Sequence, residues 1–168
     1  VVADDCDFTF WAYGGPIAGY TEGRIENCFN YSDVNAVSGY IAGIAGMTGE
    51  TAVISNCYNA GKILAGETGA GGIVGYNIGT IEFSQNDGEV LADFFNAYKK
   101  KGTQSTAGGI VGLNYGTINS SSNNGYVASY KNVGGIVGGN SNAKEAGNVT
   151  SCVNTALVDC LSDEITKG

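Results

Sequence analysis

Short apolar pairs and triplets recur along the 168-residue chain, each set between glycines and followed by a polar stretch. The phrase GGIVGYNIGTIEFSQNDGEV (71–90) returns almost unchanged as GGIVGLNYGTINSSSNNGYV (108–127). With the isoleucine of each glycine-rich phrase as anchor, Ile17, Ile44, Ile73, Ile110 and Ile136 stand 27, 29, 37 and 26 residues apart. A second aliphatic position follows each anchor: Ile25, Ile54, Ile81, Ile118 and Val149. From there the register is fixed. Three residues on come Cys28, Cys57, Ser84, Ser121 and Cys152; five on, Asn30, Asn59, Asn86, Asn123 and Asn154; nine on, Val34, Ile63, Val90, Val127 and Val158. A phrase repeated at fixed offsets describes one structural unit stacked on copies of itself.

The pattern predicts an all-β fold: a single-stranded parallel β-helix (β-solenoid), right-handed, of about five coils with two or three short strands each. The coils fall at about 13–38, 39–70, 71–107, 108–133 and 134–160, after a cap or remnant of a preceding coil at 1–12 and before a tail at 161–168. Coils spaced by roughly 4.8 Å lay like side chains over one another. The aliphatic columns then form the core, and the Cys/Ser column fits where walls approach closely. The asparagine column is expected to bond its own turn, tolerate left-handed backbone angles and pass an amide hydrogen bond from coil to coil. The Gly-Gly pairs before the anchors predict corners that need positive φ or close backbone approach.

Composition narrows the function classes. Glycine supplies 28 residues and proline one, with 43% of the chain apolar, which suits short strands and tight turns rather than disorder. A net charge of −8 argues against a nucleic-acid partner. Histidine is absent, so neither a Ser-His-Asp triad nor an HExxH zinc site can be built within the chain. No Lys-Ser or Lys-Thr follows a glycine loop to hold phosphate, and no apolar run is long enough to cross a membrane. Without an initial Met or a signal peptide, the chain reads as a mature or excised piece of something longer.

The phrases GGIVGYNIGTIEFS and GGIVGLNYGTINSS resemble the bacterial GLUG-motif repeat, G-G-[LI]-V-G-x-N-x-G-x-I-x-x-S. Weaker copies, GGPIAGYTEGRIENC, AGIAGMTGETAVISNC and GGIVGGNSNAKEAGNVTSC, extend the resemblance over about residues 13 to 160. The resemblance implies a secreted or cell-surface bacterial protein, adhesin-like or the non-catalytic region of an immunoglobulin A-specific metallopeptidase. It carries over no catalytic, cofactor or metal residues.

Candidate chemistry lies in departures from the repeat. The insertion at 91–107 holds Phe94, Phe95 and Tyr98, followed by Lys99, Lys100 and Lys101. Aromatics beside cations on a loop suit a carbohydrate, a protein or an anionic surface as ligand, or else simply cover a sheet face. Cys28 and Cys57 are expected to be stacked, free, buried thiols, since parallel Cβ vectors disfavour a bridge. Asp4, Asp5 and Asp7 suit a solvated terminus with at most weak Ca²⁺ affinity. Glu26 and Glu82 share an outward column two coils apart, roughly the spacing of glycosidase carboxyls, but without an accompanying arginine or aromatic groove. Trp11 is expected to cover the first coil. The function expected is a non-catalytic structural or adhesion module that displays one face and the insertion to a host or matrix ligand. The alternative is a polysaccharide-active β-helix enzyme or an accessory domain of a surface peptidase.

Overall fold

The computed structural model describes residues 6–8, 12–66, 68–92, 105–140 and 147–161. Among them the chain forms strands of two to four residues and no helix. All strand pairs are parallel and link one coil to the next, giving five stacks. The first stack holds Cys6–Phe8, Val34–Ala36, Ile63–Ala65, Val90–Ala92, Val127–Ser129 and Val158–Cys160. Starting at Ala12–Gly14, Ala18–Thr21, Arg24–Glu26 and Phe29–Asn30, the other four stacks are each five strands deep. The chain is therefore a parallel β-solenoid. Each coil contains five strands, not the two or three expected from sequence.

The extra corners have a local cause. Asn27, Asn56, Phe83, Ser120 and Ser151 all take a left-handed backbone, with φ between 47° and 54°. They form one column at the junction of the fourth and fifth stacks. Left-handed residues thus turn the chain three positions before the asparagine column, whose members lie in strands.

Two apolar clusters fill the coils. One gathers Ile44, Ile54, Ile73, Ile81, Ile110 and Ile118 with Cys57; the other gathers Val34, Ile41, Ile63, Ala70, Val90 and Val127. All three aliphatic columns read from the sequence lie here, fully buried in the middle coils. Each such isoleucine contributes about 2–3 kcal/mol of transfer free energy.

Glycines explain what lies between the clusters. A Cβ placed on Gly46, Gly75 or Gly112 would meet backbone of the second stack or of a neighbouring coil at 2.3–2.8 Å, so the second and third stacks touch backbone to backbone. From the second coil on, the glycine directly before each anchor isoleucine has a different neighbour. On Gly43, Gly72, Gly109 and Gly135 a Cβ would come within 2.2–2.3 Å of the side chains of Asn59, Asn86, Asn123 and Asn154. The glycine phrase and the asparagine column are two sides of one contact. Close approach is what these glycines supply; among described glycines only Gly39 has a positive φ.

The insertion leaves after Ala92 and returns by Thr106, at the corner between the first and second stacks. Its flanking strands keep register, Ala92 with Ala65 and Thr106 with Gly69, so the added residues leave the stacking unchanged.

Candidate interaction face

The asparagines predicted to form a single file do so. Asn30 Nδ2 donates to Asn59 Oδ1 at 2.7 Å, Asn59 to Asn86 at 2.7 Å, Asn86 to Asn123 at 2.8 Å and Asn123 to Asn154 at 2.8 Å. The second hydrogen of each amide goes to the carbonyl two residues on: Ser32, Gly61, Gly88, Gly125 and Ala156. Nδ2 of Asn30, Asn59, Asn86 and Asn123 therefore has two acceptors each, as a buried amide requires, and Asn154 at the end of the file has one. Asn59, Asn86 and Asn123 are fully buried.

A second ladder escaped the sequence reading. Thr48 Oγ1 donates to Asn77 Oδ1 at 2.6 Å, Asn77 Nδ2 to Asn114 at 2.8 Å and Asn114 Nδ2 to Asn140 at 2.9 Å. These residues stand four after their anchors, where the motif itself carries asparagine. The Cys/Ser column has a uniform role as well. Cys57 Sγ, Ser84 Oγ and Ser121 Oγ each donate to the carbonyl two residues before, while Ser84 Oγ and Ser121 Oγ accept the N–H of the preceding coil's column member. Cys28, Cys57, Cys152 and Cys160 are free thiols, with Cys57 buried and Cys28 half-buried. Burial first, and then the neighbouring Cys28 thiol, push the Cys57 thiol up to about 11.

The insertion residues Phe94, Phe95, Tyr98, Lys99, Lys100 and Lys101 lie outside the described residues, as do Asp4, Asp5 and Trp11. Glu26, Ser55 and Glu82 occupy successive positions of one register column, as expected. The expectation that no arginine accompanies them is corrected: Arg24, on the same face of the same strand, forms an ion pair with Glu26. Among the described residues no group of three or more His, Cys, Asp or Glu side chains converges as a metal site would require. Among the described residues no helix is long and apolar enough to cross a membrane.

What the outer surface does assemble is a row of tyrosines. Tyr13 and Tyr40 pair in the second stack, with ring centroids 6.0 Å apart and planes 19° from parallel. The next residue in that register is Gly69, and the Tyr40 ring lies over it; a Cβ there would sit 2.5 Å from Tyr40 Cδ1. Freed of a neighbour, the Tyr40 ring reaches Tyr76 of the third stack edge-on at 5.0 Å, and Tyr76 meets Tyr115 at 5.1 Å. The row crosses four coils obliquely. Tyr20 and Met47 lie in register with Tyr76 beside it, and Tyr20 donates its hydroxyl to Glu22. Tyr13 and Tyr20 are about half exposed. Partial burial, and then the phenols of Tyr115 and Tyr13, raise the Tyr40 pKa above its ordinary value.

A second set of aromatics faces outward at the corner of the fourth and fifth stacks. Phe29, Tyr58 and Gln85 pair in successive coils, and the Tyr31 ring lies 5.9 Å from that of Tyr58. Phe83 occupies the left-handed corner of the third coil, φ 51°, where such a backbone costs a bulky L-residue about 1–2 kcal/mol. Nearby, Asp87 accepts hydrogen bonds from Tyr58 Oη at 2.8 Å, Gln85 Nε2 at 2.8 Å and Asn124 Nδ2 at 2.9 Å. Burial acts to raise the Asp87 carboxyl, but these three bonds together outweigh it and hold the group below the usual carboxylate range.

Comparison with protein-family models, with curated proteins and with solved structures finds no match.

Proposed function

We propose that this solenoid is a non-catalytic structural and adhesion module of a secreted or cell-surface bacterial protein, in keeping with its GLUG-like repeat. The row Tyr13–Tyr40–Tyr76–Tyr115 is the observation that carries the proposal. Tyrosine gives a large contact area for few rotatable bonds, and its hydroxyl finds partners on polar ligands. Here Tyr13, Tyr40 and Tyr76 stand on strands and Tyr115 directly follows one, all locked coil to coil by two side-chain ladders, so little ordering is needed on binding. The ligand class is a carbohydrate or protein at a surface, and the 91–107 insertion supplies further contacts.

The enzymatic alternative rests on Glu26 and Glu82, two coils apart in one register column with Ser55 between them and Arg24 paired to Glu26. A glycan and glycopeptide binding panel, run beside an activity screen on the same polymers, tests the proposal. Saturable binding that weakens about tenfold or more in Tyr40→Ala and Tyr76→Ala is the expected result. Turnover lost in Glu82→Gln would favour the enzyme instead. Binding that survives both tyrosine substitutions but disappears when residues 93–104 are removed would move the site to the insertion.

A further inference from the structure

The exposed aromatics at the junction of the fourth and fifth stacks are unexplained by the fold. Phe29, Tyr31 and Phe83 leave 49%, 65% and 56% of their surface exposed. Phe83 also fills a left-handed position that the other coils give to Asn27, Asn56, Ser120 and Ser151. The chain thus places a large ring where the backbone least tolerates one, and does not cover it. Neither core packing nor local preference accounts for phenylalanine there, whereas contact with a partner does.

The surrounding charge selects the partner. Glu82 immediately precedes Phe83, and Asp87 is fixed beside Tyr58. Among the described residues Arg24 pairs with Glu26 and Lys62 with Glu89, while Glu82 and Asp87 have no ion-pair partner. Aromatic faces next to unpaired carboxylates suit a cation with an aliphatic stem, which packs along the rings while its charged head meets the acids. We propose that Phe29, Tyr31, Tyr58 and Phe83, with Glu82 and Asp87, form a second docking surface, which takes an extended lysine- or arginine-bearing segment of a partner protein.

Fluorescence anisotropy on the full chain, with a short labelled peptide of alternating lysine and glycine, tests this. The peptide is expected to bind, more weakly at raised salt. Phe83→Asn is expected to reduce affinity about five- to tenfold while raising Tm, because it restores the residue type used at this corner. Glu82→Gln with Asp87→Asn should weaken binding to a similar degree. Tyr40→Ala should leave it unchanged, which separates this surface from the tyrosine row. Equal binding of glutamate–glycine or serine–glycine peptides would overturn the proposal. So would unchanged affinity in Phe83→Asn, or a fall in Tm in that variant, since the ring would then belong to the fold.

Discussion

Asn86 sits in the middle of the file, taking a hydrogen bond from Asn59 and giving one to Asn123, with Gly72 pressed against its side chain. Removing the amide leaves a buried donor on Asn59 and a buried acceptor on Asn123, each costing about 1–3 kcal/mol. Asn86→Ala should therefore destabilise the protein by roughly 2–4 kcal/mol in urea unfolding. Asn154→Ala, at the exposed end, leaves one unpaired group, the Asn123 donor, instead of two, and should cost less, about 1–2 kcal/mol. Cys57 yields a different test. Its unfolded thiol titrates near 9.0 and the folded one near 11. The folded state keeps a proton that the unfolded state releases, so this contribution is whole below pH 9 and is lost as pH rises toward 11. Cys57→Ser, the residue its column carries at Ser84 and Ser121, should flatten that alkaline decline. Iodoacetamide should label Cys160 and spare Cys57 until the chain unfolds. The first ladder was legible because one residue type fills its column without exception. The second was obscured by Thr21 and Thr48, which replace asparagine in the first two coils. The left-handed column mixes Asn, Phe and Ser, because the corner rather than the side chain imposes the backbone angle, and nothing in the residue names announces it.

At the level of strands and corners, the glycine phrase is a steric requirement. A Cβ on Gly72 would lie 2.1 Å from the Gly109 carbonyl and 2.3 Å from Asn86 Cγ, and neither backbone nor ladder can give way. Gly72→Ala should cost about 3 kcal/mol or more, or prevent folding. Gly23 faces open space, its nearest neighbour being Thr21 Oγ1 at 3.9 Å, so Gly23→Ala should be neutral or stabilise by up to about 1 kcal/mol. Thermal unfolding of the two variants compares them directly. Sequence spacing located these glycines correctly but left their reason open between positive φ and close approach. Choosing between the two required knowing that the asparagine column lies across the coil. The number of strands per coil was not legible for a related reason: two-residue strands such as Tyr58–Asn59 are too short to carry any alternation.

Across the whole molecule, the outer surface was the part least readable in advance. The tyrosine row begins in a column four residues before the anchors, with Tyr13 and Tyr40. It then passes to one three residues after them, with Tyr76, so no single column of the repeat contains it. The gap at Gly69 that lets Tyr40 lean across is visible only once the coils are stacked. What joins both aromatic surfaces to the sequence is the rigidity of the stack beneath them, and that rests on consecutive coils lying in register.

The side-chain amide resonances of the asparagines, in an isotope-labelled NMR spectrum, test that register most directly. Asn59, Asn86 and Asn123 should show slowly exchanging amide protons, each with a through-space contact to the asparagine of the next coil, and Asn154 at the exposed end should exchange faster. Rapid exchange of all four, with no contact linking Asn59 to Asn86 or Asn86 to Asn123, would contradict the stacked solenoid.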